Sequence, residues 1–288
     1  MKVYLIGASG AIGYSLFKFF RKNKINVTGT YFKNYKKGLV NFNLNKHSIF
    51  ERFKNIKPDD IFILLAAKTD NKWILRNNEL ANKINVEKTI KLINDIKKTN
   101  SRIIYFSSAE VFDGLKGFYK ESEVGNPVSR YGKTKNKIEK FLKNGTYSKY
   151  FILRTGANIT MDLKYKCMIH QTYKTLMLRK PKMAIDNFFT ITHEQDFNNG
   201  ILKLINLRNN LKNNIFHISS NHNLNRVKFA NLIKKYSNRL KNTKFDIVMF
   251  KDIKYGETRA AKNNLNSTNT RRILKIKFKN PENIIKQK

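Results

Sequence analysis

Cysteine and histidine are scarce in this chain of 288 residues. Its one cysteine, Cys167, excludes a framework of internal disulfides and is compatible with a reducing compartment. The five histidines show none of the short spacings that are typical of metal ligands. We therefore expect neither a disulfide-stabilised secreted domain nor a metal site.

Long apolar runs are also missing. The longest, residues 61–67, is far too short to cross a bilayer and is typical of a buried strand. Met1 and Lys2 lead directly into the apolar residues 3–6, with no small-residue cleavage site behind them. These features predict a cytoplasmic protein without a membrane span.

Acidic residues are few: 20 Asp and Glu stand against 58 Lys and Arg, a net charge of +38. One interpretation is a nucleic-acid or anionic-surface partner. The lysines are spread along the whole chain, however, and form no arginine-rich arm or basic tail, which favours a purely compositional origin. We expect no specific nucleic-acid partner, although the charge can help to attract a substrate that carries a pyrophosphate.

The first half of the chain alternates strand-like and helix-like segments with short connections, and after about Thr155 this alternation loosens. The pattern predicts an α/β fold, namely a Rossmann-type doubly wound parallel sheet. We predict an NAD(P)-binding domain over residues 1–155 and a smaller α/β substrate-binding part over 156–288, packed on the first or interleaved with it. The predicted strands are 3–6, 26–31, 38–42, 61–66, 102–107, 150–154, one or two within 182–191, 215–219 and 244–250; the predicted helices are 11–22, 48–55, 79–99, 130–144, 165–179, 193–207 and 226–240.

A glycine-rich loop lies between the first predicted strand and the first predicted helix. Gly7 permits a tight turn, Gly10 allows the backbone to approach phosphates, and Gly13 lets helix and strand pack closely. The helix N-terminus supplies unpaired N–H groups for a pyrophosphate. The loop therefore predicts a dinucleotide site whose residues are Gly7, Ser9, Gly10, Ala11, Ile12 and Gly13.

The end of the second predicted strand indicates which dinucleotide binds. NAD-preferring folds place an acidic residue there to bind the ribose hydroxyls. This chain instead has Tyr31, Phe32 and Lys33, followed by Lys36 and Lys37. The missing acid and a lysine that can meet a 2′-phosphate predict a preference for NADP(H), with NAD(H) left open.

Tyr131 and Lys135 are four residues apart at the start of a predicted helix, so they share one face. A nearby ammonium favours the phenolate and lowers the pKa of a tyrosine, as a general acid/base requires. Ser108 follows a predicted strand at its carboxyl end, where open α/β sheets bind ligands, and can donate a hydrogen bond to a reacting oxygen.

Together these segments resemble the extended short-chain dehydrogenase/reductase superfamily, and in particular the dTDP-4-dehydrorhamnose reductases and their relatives. Further segments carry the resemblance along the chain: 66–70, 85–86, 111–114, 153–155, 192–196, and Arg259 together with 264–266. The resemblance implies that Ser108, Tyr131 and Lys135 are catalytic. It implies a cofactor site that also includes Tyr31, Lys33, Ala66, Ala67, Lys68, Asn85, Tyr131 and Lys135, and a substrate site formed by Ser108, Ala109, Glu110, Thr155, Asn158 and Arg259.

The chain departs from that pattern beside the catalytic serine. Reductases of this kind often have Asp-Tyr where this chain has Ala109 and Glu110, and dehydratases use an acidic pair in which Ala109 cannot serve. The expected activity is NADP(H)-dependent reduction of a nucleotide-linked keto-sugar by a monomer or homodimer. Two alternatives stay open: a nucleotide-sugar epimerase that retains NAD, and a non-catalytic regulatory subunit that binds NADP.

Overall fold

The computed structural model describes residues 1–160, 167–207 and 214–286. Its strands are β1 Val3–Ile6, β2 Val27–Tyr31, β3 Leu39–Asn41, β4 Ile61–Leu64, β5 Arg102–Phe106, β6 Tyr150–Arg154, β7 Ala157–Ile159, β8 Lys182–Ala184, β9 Phe188–Phe189, β10 Ile191–His193, β11 Ile215–His217, β12 Leu224–Asn225 and β13 Asp246–Val248. Its α-helices are α1 Ala11–Lys22, α2 Ile49–Arg52, α3 Asn71–Arg76, α4 Asn78–Asn82, α5 Lys88–Lys98, α6 Arg130–Lys143, α7 Met168–Leu176, α8 Glu194–Ile205, α9 Arg226–Lys235, α10 Thr268–Leu274 and α11 Pro281–Lys286. A π-helical turn spans Lys83–Glu87, and two 3₁₀ turns span Ala109–Val111 and Phe250–Asp252.

Seven strands form one parallel sheet in the order β3-β2-β1-β4-β5-β6-β11. Every residue of β1 and β4 is buried, as expected for central strands that helices cover on both faces. The chain order reverses beside β1, which makes the carboxyl ends of β1 and β4 the place where such sheets bind ligands. The predicted doubly wound α/β fold is confirmed.

Helix α1 follows the glycine loop and begins and ends where the sequence predicts. Leu16, Phe17 and Phe20 lie on its buried side, and Arg21 and Lys22 complement the negative end of the helix dipole. The helix packs against β2 and against α8 from the C-terminal part of the chain. Its N-terminus is therefore held at the sheet edge from two sides.

The C-terminal part has its own apolar core but also completes the main sheet. Ile159, Phe189, Phe229 and Ile284 belong to this second core, which the small strand pairs β7–β10, β8–β13 and β9–β12 surround. Strand β11 pairs with β6 in the main sheet. The two parts thus interleave, and the boundary between residues 155 and 156 stays a prediction.

Several predicted elements have different limits in the structure. The helix predicted over 79–99 contains the π-helical turn Lys83–Glu87. The wider turn changes which side chains face the core, so that Asn85 is buried and Ile84 is only partly buried. The helix predicted over 48–55 is only Ile49–Arg52, and that over 226–240 ends at Lys235. Helices α3, α10 and α11 were not predicted, since each has only six or seven residues and is too short to show a helical period. Residues 165 and 166 of the predicted helix 165–179 lie outside the described residues, and of the rest only Met168–Leu176 forms α7.

In the described part of the chain, no helix is long and apolar enough to span a membrane. The same residues contain no group of three or more His, Cys, Asp or Glu side chains arranged to hold a metal ion.

Candidate active site

The glycine loop after β1 has a shape that side chains would prevent at two of its positions. Gly7 has a φ of +93°, and a Cβ there would lie 2.6 Å from the backbone nitrogen of Ala66. A Cβ on Gly13 would lie 2.8 Å from the Gly7 oxygen and from the Cα of Ala8. These are the turn and the close helix–strand approach that the sequence predicts for these two glycines.

The N-terminus of α1 faces open space beside this loop. Gly10 caps the helix without a side-chain hydrogen bond, and a Cβ on Gly10 would come no nearer to another group than 3.9 Å, to the Gly7 oxygen. Ser9, Ala11 and Ile12 are partly exposed around it. The N–H groups of the first turn can therefore donate hydrogen bonds to a pyrophosphate, and the cradle fits a dinucleotide.

Lysines lie at the end of β2, but they are not placed alike. Lys33 is exposed, with its Nζ 5.8 Å from the ring centroid of Phe32. The Nζ of Lys36 lies 5.4 Å from the ring centroid of Tyr14, which belongs to the first turn of α1. Lys36 is thus the lysine held beside the dinucleotide cradle, although the sequence pointed first to Lys33.

The segment Ala66, Ala67 and Lys68 forms the facing wall of the cradle after β4. Asn85 holds this wall: its Oδ1 accepts from the Lys68 nitrogen at 2.8 Å, and its Nδ2 donates to the Lys68 oxygen at 2.9 Å. The Asn85 amide is therefore engaged by the protein backbone. The structure places Asn85 behind the predicted cofactor site as a support of its wall.

The predicted catalytic residues meet at the carboxyl end of β5. Lys135 lies one turn after Tyr131 on α6; its Nζ donates to the Phe106 oxygen at 2.6 Å and lies 5.8 Å from the Tyr131 ring centroid. Ser108 lies just beyond β5, and its Oγ accepts from the Glu110 nitrogen at 3.2 Å. Ser129 starts the helix, since its Oγ accepts from the Gly132 nitrogen at 3.0 Å.

The charges around Tyr131 differ from the prediction that Lys135 lowers its pKa. Burial raises the pKa of Tyr131, and the carboxylate of Glu110 raises it further. Burial also lowers the pKa of Lys135 to about 7, against an opposing effect of Glu139. Burial therefore disfavours the ammonium form of Lys135, which weakens the cation expected to favour the phenolate.

A buried ion pair between Arg154 and Glu139 lies next to the predicted catalytic residues. Arg154 donates to Glu139 through Nε at 2.9 Å and Nη2 at 2.6 Å, and Ser107 donates to the same carboxylate at 2.5 Å. Removing one partner of such a pair leaves an uncompensated buried charge, so the pair joins β5, β6 and α6 firmly.

A cleft of about 370 Å³ opens next to Ser108. Of the predicted substrate residues, Ser108, Ala109, Glu110, Thr155 and Arg259 line it. Asn158 is not among the residues that line this cleft; its Nδ2 donates to the Thr155 Oγ1 at 3.0 Å and supports the wall. The lining also includes residues that the sequence did not indicate, notably Gln171, Asn187, Phe189, Arg226, Tyr255 and Asn263.

Two arginines that line the cleft give it positive charge. Arg226 donates through Nε to the Asn187 Oδ1 at 2.9 Å and lies over the Phe189 ring at 4.8 Å, while Arg259 lies over the Tyr255 ring at 4.7 Å. Burial lowers the pKa of Arg226; Tyr255 raises it and Arg259 lowers it. Two like charges held this close favour an anionic ligand. In the sequence Arg226 was only the start of a helix, and in so basic a chain nothing marked it.

Comparisons with known proteins agree with this architecture. Residues 1–287 match the family model described as the RmlD substrate binding domain. A solved structure described as a hypothetical dTDP-4-dehydrorhamnose reductase from Sulfolobus tokodaii is 28% identical, with a TM-score of 0.81 and 96% of each chain covered. A dTDP-4-dehydrorhamnose reductase from Bacillus anthracis, solved in complex with NADP, shares the fold at 21% identity, with a TM-score of 0.81 over 99% of this chain and 98% of the other.

Among curated proteins, methionine adenosyltransferase 2 subunit beta from Bos taurus is 27% identical over 140 residues. That match spans 48% of this chain and 42% of the relative's length. The match to the family model, by contrast, extends over nearly the whole sequence. The chain therefore belongs to the RmlD substrate binding domain family.

Proposed function

We propose that this protein catalyses the NADP(H)-dependent reduction of a carbonyl group in a nucleotide-linked keto-sugar. The observation that carries the proposal is one cleft that is lined both by Ser108 and by the arginine pair Arg226 and Arg259. A reducible group can lie beside Ser108 while an anionic group of the same molecule binds the arginines.

The arginine end suits a diphosphate. A guanidinium offers parallel N–H donors that match phosphate oxygens, and two guanidinium groups can share the negative charge of a pyrophosphate. Tyr255 and Phe189 hold the guanidinium planes by stacking, so little side-chain freedom is lost on binding. A nucleotide sugar has its pyrophosphate between base and sugar, which places the sugar towards Ser108.

At the carbonyl end, the hydroxyl of Ser108 donates a hydrogen bond to the carbonyl oxygen, where negative charge develops. Tyr131 then gives its phenolic proton to that oxygen, and the ammonium form of Lys135 stabilises the phenolate left behind. A bound nicotinamide supplies the hydride. The buried pair of Glu139 and Arg154 holds α6 against β6 during this step.

For the cofactor we propose NADP(H) in preference to NAD(H), with the glycine loop holding the pyrophosphate. The absence of an acid after β2 and the position of Lys36 beside α1 support this preference. We further propose that the protein works in the cytoplasm as a monomer or homodimer.

Purified protein should oxidise NADPH when supplied with dTDP-4-dehydrorhamnose or a related nucleotide keto-sugar, measured by the loss of NADPH absorbance. A nucleotide without the sugar and a keto-sugar without the nucleotide serve as controls, and neither should be reduced at a comparable rate. Absence of turnover across a panel of nucleotide keto-sugars would remove the reductase proposal. Tightly retained NAD in the purified protein, with sugar epimerisation, would instead identify an epimerase.

The similarity to methionine adenosyltransferase 2 subunit beta favours a second candidate, a regulatory subunit that binds NADP. In that case the protein should bind NADPH without reducing any nucleotide sugar, and should alter the activity of a methionine adenosyltransferase mixed with it. The Ser108, Tyr131 and Lys135 set favours the reductase, because a purely regulatory protein has no need of it.

A further inference from the structure

Three chain segments meet at the N-terminus of α6, the helix that carries Tyr131. They are the 3₁₀ turn Ala109–Val111 after Ser108, the start of α6 itself, and residues 257–266, which we call the C-terminal strap. Hydrogen bonds from the Lys262 nitrogen to the Gly114 oxygen (3.0 Å) and from the Asn266 nitrogen to the Tyr119 oxygen (2.9 Å) fix the strap to the neighbouring loop.

The strap is joined to α6 before Arg259 and to the 3₁₀ turn Ala109–Val111 after it. Before it, Glu257 Oε2 accepts from the backbone nitrogen of Arg130, the first residue of α6, at 3.2 Å. After it, the Asn263 Nδ2 donates to Glu110 Oε1 at 3.2 Å. A ligand that binds Arg259 therefore acts on a segment already connected to the helix of the proton donor.

Glu110 is the side chain shared by all three segments. Its backbone nitrogen donates to Ser108 Oγ, its Oε2 accepts from the Ser129 Oγ at 2.9 Å, and its Oε1 accepts from Asn263. Ser129 in turn caps α6, a helix of 14 residues whose N-terminus favours a negative charge.

The charges that face Glu110 come from the strap and from α6. Burial raises the pKa of Glu110; the Ser129 hydrogen bond and then the charge of Arg259 lower it, Glu257 raises it, and the hydrogen bond from Asn263 lowers it. Glu110 in turn raises the pKa of Tyr131. The carboxylate is thus held ionised in part by Arg259, and its charge opposes proton release by Tyr131.

We propose that Glu110 is a positioning residue that reports occupation of Arg259 to Tyr131: when a diphosphate binds Arg259, Glu110 takes up a proton from solvent and Tyr131 becomes a stronger acid. The inference rests on the proposed function for the identity of the anion. A bound diphosphate neutralises the cation that keeps Glu110 ionised, so Glu110 binds a proton more tightly. With that negative charge gone, the Tyr131 phenol releases its proton to the carbonyl oxygen more readily.

Calorimetric titration of the whole protein with UDP-glucose and with dTDP-glucose, in buffers of different ionisation enthalpy, tests the inference. Their pyrophosphates are esterified at both ends and do not titrate near neutral pH, so proton uptake reports groups on the protein. The wild type should take up a fraction of a proton per ligand bound, and Glu110→Gln should lose that uptake while still binding. Glu87→Gln, which removes an equal charge from an exposed site, should behave as the wild type.

Equal proton uptake in the wild type and in Glu110→Gln overturns the inference and leaves the proposed function intact. Failure of the wild type to bind either nucleotide sugar overturns both, and is recognised by the missing binding heat. Rates give a second readout that a merely structural role for Glu110 would not produce. The wild-type kcat should fall with rising pH both as Lys135 loses its proton and as bound-state Glu110 ionises. Glu110→Gln should keep the Lys135 limb and lack the Glu110 limb, so a pH profile that Glu110→Gln leaves unchanged contradicts the inference.

Discussion

At the scale of single residues, the role of Tyr131 as proton donor gives the most direct test of the proposed function. Tyr131→Phe removes one hydroxyl from a partly buried ring and leaves the packing of α6 intact. We expect kcat to fall by about 10²–10⁴, the contribution of a positioned general acid. Steady-state kinetics with an active nucleotide keto-sugar measures this.

Tyr236→Phe is the matched control, because Tyr236 directly follows α9 and its hydroxyl donates a hydrogen bond to Glu282, a residue that does not line the cleft. It should keep the wild-type rate, and both variants should unfold at the wild-type temperature. Near-normal turnover by Tyr131→Phe would contradict the proposed role of Tyr131 and would favour the regulatory subunit as the function of this protein.

A second residue-scale prediction separates two lysines. Lys36→Ala should weaken NADPH binding about tenfold or more and leave NADH binding unchanged, since a charge-assisted hydrogen bond contributes about 1.5–3 kcal/mol. Lys33→Ala should have the smaller effect, because Lys33 is exposed and lies away from α1. Fluorescence titration with both cofactors decides; equal affinity of the wild type for NADPH and NADH would contradict the preference itself.

At the scale of elements, the loop between β1 and α1 contains one glycine that we expect to matter for cofactor binding, Gly10, and one that we expect to matter for stability, Gly13. Gly10→Ala meets open space, so stability should hold while the added methyl group obstructs the approach of phosphates and weakens NADPH binding. Gly13→Ala meets backbone at 2.8 Å, so it should lower the free energy of unfolding by about 1–3 kcal/mol.

Chemical denaturation and cofactor titration, measured on both variants, check this pair. Unchanged NADPH affinity in a stable Gly10→Ala variant would show that the phosphates lie elsewhere.

At the scale of the whole molecule, the net charge of +38 is the feature to test. If the protein has no specific nucleic-acid partner, duplex DNA should bind to it weakly and through phosphate contacts alone. The affinity should then fall steeply between about 50 and 200 mM salt. Gel-shift titrations with unrelated duplexes measure this. Sequence-selective binding that survives the higher salt would require a function beyond the enzyme.

The sequence alone determined those parts of the protein whose physics is local. Strands β1 and β6 and helix α1 have their predicted limits, because unbroken apolar runs and helical periodicity state directly which residues become buried. The glycine loop and the Tyr131–Lys135 spacing are likewise local patterns. Helices as short as α3 and α10 show no helical periodicity in the sequence, and they depend on tertiary contacts for their stability.

Only the tertiary structure decided how distant residues share the site. Arg226 reaches the same cleft as Arg259 because α9 packs in the second core, and neither its neighbours nor its spacing in the sequence showed this. Glu110 meets Asn263 across 153 residues of chain, which holds a carboxylate near Tyr131. Burial first and this carboxylate second raise the pKa of Tyr131, against the lowering expected from Lys135. The physical reason is that burial and charge at a site depend on every element that closes around it, whereas a motif describes only one.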